Sequence, residues 1–291
     1  MLSLVLPKGS LEKPTLELFA AADLAVQRGS DRDYHASIDD PRIDRVRFLR
    51  PQEIPVYLQQ GLFDLGITGR DWIAETGSNV VSLGELQYSR ATARPVRIVL
   101  AVPQAHPAES VSDLPDGVRV STEVPELTRR YFDEAGVKAT IIPSAGATEA
   151  KVPDIVDAIV DLTETGSSLR KAGLKIIGTL LTSYTELVAN ADAYADPVKR
   201  AAMEDIALLL RGAIRARGRV LLKLNVAAAD LAAVLDIMPS AGSPTLMNLA
   251  SGEHSAVEAV VPKTGINELI PALKAAGAFD ILELPIGKIV D

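Results

Sequence analysis

The stretch D-A-I-V-D-L-T-E-T-G-S-S-L, Asp157 to Leu169, reads as a strand that runs into a loop and then a helix start. Ala158, Ile159 and Val160 form a short apolar run suited to a buried strand, flanked by Asp157 and Asp161. Carboxylates so placed can accept hydrogen bonds from vicinal sugar hydroxyls. After Glu164, the run Thr165-Gly166-Ser167-Ser168 supplies hydroxyls, a glycine that lets backbone N–H groups approach closely, and a helix start whose dipole favours an anion. The combination suits a sugar phosphate. The plainer alternative is a turn capping a short helix that ends at Gly173, with both aspartates solvated.

Outward from this stretch, strand-like runs alternate with helical patterns through about residue 180, which argues for α/β lobes. Strands are expected at Leu2–Leu6, Val46–Leu49, Asp64–Thr68, Arg97–Val102, Val118–Ser121 and Thr140–Ile142. Helical spacing runs over Leu11–Gln27 and Leu127–Ala135, and Pro51 suits the first position of a helix closed by Gly61. The loop Ser89–Pro95 is the candidate crossing between lobes. Ile176–Leu181 and Tyr184–Ala189 read as strands returning to the first lobe, which makes that lobe discontinuous: residues 1–92 with a return segment 178–217, around a second lobe at 93–177.

Pro197–Arg217 is amphipathic, with Met203, Ile206, Leu210 and Ile214 on one side and Gly218 as its stop. Residues 218–291 then follow a strand-helix-strand-strand-helix-strand order. Strands are expected at Arg219–Val226, Thr245–Leu249, Ala256–Val261 and Phe279–Leu284, and helices at Ala228–Met238 and Ile266–Ala276. This is the ferredoxin-like order, a four-stranded antiparallel sheet covered by two helices.

The 291 residues carry a net charge of −8 without a Lys/Arg block, which argues against a nucleic-acid partner. The chain has no Cys, which excludes disulfides, thiolate catalysis and Cys-ligated zinc, and His35, His106 and His254 lack metal-ligand spacing. Pro7 interrupts the N-terminal apolar run too early for a signal segment, and Arg211, Lys223 and Asp230 break the later apolar stretches. A cytoplasmic protein without a membrane partner is expected.

Beyond Asp157–Leu169, the runs L-P-K-G-S-L, L-R-P-Q-E-I-P-V-Y-L-Q-Q-G-L-F-D-L-G-I-T-G-R-D, L-T-R-R-Y-F and S-P-T-L-M-N-L-A appear in order along the chain. Together they resemble the long form of ATP phosphoribosyltransferase, the first enzyme of histidine biosynthesis. The resemblance implies a two-lobed catalytic part like the periplasmic binding proteins and a C-terminal ferredoxin-like (ACT-like) α+β regulatory domain. It also implies transfer of the phosphoribosyl group of phosphoribosyl pyrophosphate to N1 of the ATP adenine, with release of pyrophosphate. A ring nitrogen with a free lone pair needs no strong base, so the expected work is positioning and stabilisation of the leaving group. Mg2+ is expected to arrive on the substrate phosphates. L-Histidine is expected as inhibitor, and a homo-oligomer built from dimers into a hexamer as the assembly. The alternatives are a two-lobed small-molecule binding protein and a noncatalytic regulatory paralogue.

By this resemblance Asp157 and Asp161 face the ribose, and Thr163, Glu164, Thr165, Gly166, Ser167 and Ser168 surround the 5-phosphate. Lys8 and Gly9 follow the first strand and meet the pyrophosphate or triphosphate; Asp71 and Arg50, each at a strand end, face the same cleft. Glu149 matches the family's S-G-x-x-E position, and at most one of Arg129 and Arg130 serves the site. Ser243 and Thr245 are expected to receive regulatory histidine. The chain departs from the family at Ser10, where many members carry Arg, and at Val124-Pro125-Glu126, where Y-P-N is usual.

Overall fold

Three sheets organise the chain in a computed structural model that describes residues 1–88, 95–239, 243–250 and 252–290. It divides into two units, Met1–Ala207 and Leu208–Asp291.

In the first unit the chain runs β1 (Leu2–Pro7), α1 (Glu12–Ala21), β2 (Val26–Gln27), β3 (His35–Ile38), β4 (Ile43–Leu49), α2 (Ile54–Gln59), β5 (Leu65–Gly69), α3 (Arg70–Thr76) and β6 (Val80–Glu85). It continues through β7 (Val96–Pro103), β8 (Val118–Thr122), α4 (Pro125–Glu134), β9 (Ala139–Pro143), β10 (Ala158–Thr163), α5 (Ser167–Lys171), β11 (Leu174–Ser183), β12 (Thr185–Asn190) and α6 (Ala191–Ala195). The long α7 (Pro197–Ala216) leads into the second unit.

The first sheet has the order β2-β3-β4-β1-β5-β12-β6, with β1 parallel to both β4 and β5. Apolar residues on β1, α2 and β12, including Val5, Ile54, Leu58 and Val188, pack together beside it. The second sheet has the order β11-β7-β10-β8-β9, with β10, β8 and β9 parallel and β7 antiparallel to β10. Alternation along β10 separates its faces. Ala158 and Val160 join a core with Phe132 of α4, while Ile159 joins the opposite core with Leu169 of α5. This is the expected pair of α/β lobes.

Some expected elements differ. The 174–183 strand does not return to the first lobe: β11 pairs along its length with β7 in the second sheet, and the return begins at β12, antiparallel to β5. Both segments are apolar enough for either sheet, so composition does not assign them. Pro51 precedes its helix; α2 starts at Ile54 and Pro55 takes the early helical position. The polar stretch after Ser30 contains β3, which pairs with the edge of β4. Most of the expected crossing loop, residues 89–94, lies outside the described residues.

The second unit continues with β13 (Arg219–Ala227), α8 (Leu231–Ile237), β14 (Thr245–Asn248), β15 (His254–Pro262), α9 (Ile266–Ala275) and β16 (Phe279–Pro285). Its sheet order, β14-β15-β13-β16, is antiparallel throughout and is the ferredoxin-like one. Val220, Leu222, Leu224 and Val226 alternate inward along β13 and pack with Val234 of α8 and Leu273 of α9. Among the described residues no helix is long and apolar enough to cross a membrane.

Candidate functional site

Parallel strands deliver their C-terminal ends to one edge of a sheet, and loops there gather ligand-binding groups. In the first sheet this edge carries Lys8 and Gly9 after β1, Arg50 after β4, and Gly69 to Asp71 at the end of β5. In the second sheet the same logic places Thr163 at the end of β10 with residues 164–168 after it, Glu123 after β8 and Ser144 after β9. Ser183-Tyr184-Thr185 connects β11 directly to β12 and so crosses from one edge to the other.

A cavity of about 280 Å3 opens at these edges, lined on one side by Lys8, Gly9, Arg50, Asp71 and Trp72 and elsewhere by Gln87, Val96, Leu162 and Ser183–Thr185. A second, more polar cavity of about 240 Å3 is lined by Val96 and Thr163–Thr165 with Ser167, Ser168 and Leu162. Val96 and Leu162 therefore form a wall common to both.

The loop after β10 is held open by its own backbone. Gly166 has φ +72°, where L side chains are strained, and its N–H donates to Thr163 Oγ1 at 2.8 Å. Arg170 Nη1 donates to the Thr165 carbonyl at 3.0 Å, which ties the short α5 to the loop. Thr165 is exposed and its Oγ1 accepts from Ser167 N at 3.3 Å, leaving the hydroxyl proton available to a ligand. Glu164 is half-buried in the same rim.

Asp161 faces the side of β10 that also carries Thr163, with one carboxylate oxygen accepting from Leu162 N at 2.7 Å. Burial first, and then the charges of Glu149 and Glu123, raise its pKa above the ordinary carboxylate value. Glu149 lies half-buried in a 3-10 turn, Thr148–Lys151. Lys151 in that turn donates to Ser144 Oγ at the end of β9.

Asp157 is the one expected ribose contact that the structure sets elsewhere. It precedes β10 at the opposite edge of the sheet, roughly 20 Å along the strand from the loop at about 3.3 Å per residue. There its carboxylate takes a paired contact from Arg119, Nη2 to Oδ1 at 2.7 Å and Nε to Oδ2 at 3.1 Å, and the guanidinium lowers its pKa. An aspartate on each flank of an apolar run looks symmetric in sequence, but Asp157 pairs with Arg119 at the far edge, while Asp161, which lines neither cavity, is one residue from Leu162 in the wall they share and feels the charges of Glu149 and Glu123.

In the first lobe, Asp71 is 5% exposed, and Ser183 Oγ donates to its Oδ1 at 2.6 Å. Burial raises its pKa, and the Ser183 bond offsets part of that rise. Gly69 is required by contact rather than by φ: a Cβ there would lie 2.1 Å from Asp71 Oδ1. Lys8 donates to the Asp31 carbonyl at 3.1 Å and stands over the Tyr34 ring at 5.0 Å. Arg50 is exposed at the rim. Arg70 turns away from the cleft, bonded to Glu186 at 2.5 Å and Glu85 at 2.9 Å. Trp72 lines the cavity and also packs on the core of the second lobe.

Arg129 pairs with Glu126 and Arg130 donates to the Ala74 carbonyl; neither lines either of these two cavities. Sequence reasoning missed Ser183–Thr185, Val96 and Leu162. The short T-S-Y-T run between two strands marks the crossing, but its importance follows from sheet assignment, which the run does not reveal. In the second unit Ser243 and Thr245 are exposed, the latter opening β14 opposite Glu258.

Residues 50–212 match the family described as ATP phosphoribosyltransferase, and residues 216–288 match the family described as HisG, C-terminal domain. The ATP phosphoribosyltransferase of Chlorobium luteolum is 46% identical over 291 residues, covering 100% of this chain and 98% of its own. That of Pelotomaculum thermopropionicum is 44% identical over 289 residues, covering 99% of each. Among solved structures, the ATP phosphoribosyl transferase (HisG:HisZ) complex from Thermotoga maritima aligns with a TM-score of 0.61 at 28% identity, over 72% of this chain and 96% of that one.

Proposed function

The chain belongs to the ATP phosphoribosyltransferase family of pentosyltransferases, which catalyse the first step of histidine biosynthesis, and from that premise we propose how its two cavities divide the substrates. The polar cavity on the Thr163–Ser168 loop takes the 5-phosphate of phosphoribosyl pyrophosphate, and the larger cavity takes ATP. The observation that carries this reading is the common wall at Val96 and Leu162, which lets a group bound in one cavity reach a group bound in the other.

Backbone N–H groups around Gly166 and the hydroxyls of Thr165, Ser167 and Ser168 meet the phosphate, while Asp161 accepts from the ribose hydroxyls. Glu149 and Glu164 stand behind the same site. Lys8, Gly9 and Arg50 line the larger cavity where polyphosphate charge is to be met, and Asp71 with Trp72 forms its inner wall. Adenine N1 attacks ribose C1 with its own lone pair, forming the C–N bond as the C–O bond to pyrophosphate breaks. The chain therefore contributes alignment and charge stabilisation.

Among the described residues no group of three or more His, Asp or Glu is placed to hold one metal ion. The carboxylates of Glu149 and Glu123 nevertheless load negative charge around Asp161, which suits a magnesium-bound diphosphate better than a bare one. Mg2+ on the substrate would neutralise the leaving pyrophosphate. We also assign L-histidine inhibition to the second unit through Ser243 and Thr245, a homo-oligomeric assembly of dimers and hexamers, and a cytoplasmic site of action.

The test is direct: purified protein with ATP, phosphoribosyl pyrophosphate and magnesium should form the phosphoribosyl-ATP chromophore. Thr165→Ala and Ser168→Ala should raise KM for phosphoribosyl pyrophosphate while leaving ATP affinity alone. A rise in the ATP constant instead would reverse the assignment of the cavities.

A further inference from the structure

Helix α4 begins without a cap of its own. Its N-cap is Val124, which makes no side-chain cap bond, and Pro125 follows at the first helical position. The next N–H groups are taken by one carboxylate from the other lobe: Glu75 Oε1 accepts from Glu126 N at 3.0 Å, and Oε2 accepts from Leu127 N at 2.8 Å. Negative charge at a helix N-terminus is favourable, and the two bonds fix its direction.

Glu75 lies in α3, the helix whose first turn carries Asp71 and Trp72 into the larger cavity. That helix is tied to the second lobe at both ends. Asp71 bonds to Ser183 at the end of β11, Trp72 packs on the second-lobe core, and Arg130 of α4 returns a bond to the Ala74 carbonyl beside Glu75. A local serine or asparagine cap would satisfy α4 at any angle between the lobes. A carboxylate from α3 satisfies it only at this one.

We propose that Glu75 is a positioning residue for the transfer reaction. Its carboxylate, bound across the α4 N-terminus, holds the Asp71–Trp72 wall of the larger cavity in register with the loop at 163–168. The proposal rests on the division of substrates between the two cavities. Reaction needs N1 and C1 within about 3–3.5 Å, and a displacement near 1 Å costs about a hundredfold in rate. The groups assigned to substrate phosphates, by contrast, are Lys8, Gly9 and Arg50 and the loop at 163–168, which follow strand ends outside α3 and α4.

The experiment compares wild type, Glu75→Ala and Glu75→Gln. Glu75→Ala should lower kcat about 10- to 100-fold while the Kd of ATP and of phosphoribosyl pyrophosphate, each measured alone by calorimetry, stays within about threefold. Glu75→Gln keeps an acceptor of the same reach and should recover part of kcat. Hydrogen exchange at the Glu126 and Leu127 amides should quicken in Glu75→Ala and stay closer to wild type in Glu75→Gln. An unchanged kcat in Glu75→Ala overturns the proposal, as does a parallel loss of both binary affinities or a failure of Glu75→Gln to recover any rate. Unchanged exchange at the two amides overturns it without reference to activity. Inactive wild type with normal exchange behaviour would count against the transferase site and not against the Glu75 contact.

Discussion

Replacing Gly166 by Ala tests the phosphate loop at its most constrained point. The residue sits at φ +72°, and placing an L side chain in the left-handed region costs about 1–2 kcal/mol. The new Cβ would also stand 3.0 Å from Arg170 Nη1 and 3.2 Å from Ile176 Cδ1. Arg170 is exposed and can swing aside, which gives up its bond to the Thr165 carbonyl, worth about 0.5–1.5 kcal/mol. Together these penalties come to about 1.5–3.5 kcal/mol against the conformation that presents the loop's N–H groups. At about 1.4 kcal/mol per tenfold, affinity for phosphoribosyl pyrophosphate should fall roughly 10- to 300-fold, with ATP affinity unchanged. Calorimetry with each substrate measures both. Gly136→Ala is the control: its φ of +71° imposes the same backbone strain at a position with open space around it and no part in either cavity. It should lose stability and keep its substrates. If Gly166→Ala binds phosphoribosyl pyrophosphate as wild type does, the loop does not hold the phosphate.

Asp161→Asn should weaken phosphoribosyl pyrophosphate by roughly 10- to 150-fold, the equivalent of losing a charge-assisted contact of about 1.5–3 kcal/mol. The same change should raise the melting temperature at neutral pH. Burial lifts the folded pKa of Asp161 above its unfolded value, so the native state holds more protons between the two values and stability falls as pH rises through that window. The asparagine variant escapes that loss, and its advantage should vanish as pH drops toward the ordinary carboxylate value; a variant that melts lower at neutral pH contradicts the reasoning. Chelating magnesium should stop turnover and leave the melting temperature of the ligand-free protein unchanged; a drop in melting would reveal a protein-held ion. Histidine titrated into the assay should inhibit without competing with phosphoribosyl pyrophosphate, and Thr245→Ala should move the curve to higher histidine while keeping the uninhibited rate. Wild type indifferent to millimolar histidine would remove that role from the second unit.

Local signals in the sequence carried much of this molecule. Alternation along residues 219–226 and the two helical patterns after it lead directly to the ferredoxin-like unit, because each strand has one buried face and each helix one apolar stripe. The glycine and hydroxyls at 165–168 likewise announce a loop that their backbone conformation requires. What local signals could not supply was partnership. Apolar runs at 176–181 and 184–189 look alike, yet the first pairs with β7 and the second with β5. Asp157 and Asp161 look equivalent until the direction of β10 assigns one to Arg119 at the far edge and sets the other beside the charges of Glu149 and Glu123. Glu75 carries no motif at all, and its meaning depends on a helix that begins 50 residues later with a valine in place of a cap.

The place of β12 governs the order in which the protein can be made. It inserts between β5 and β6 and is buried along its length, so the first sheet lacks an interior strand until Asn190 has left the ribosome. The second sheet is contiguous from β7 to β11 and has all its strands by Ser183. The lobe synthesised first is therefore the one completed last. Translation proceeds at about 5–20 residues per second, so the open edge of β5 waits several seconds while some 120 further residues emerge. A nascent chain paused before residue 190 would present that edge to any neighbouring strand, and slow codons in this interval would lengthen its exposure to aggregation.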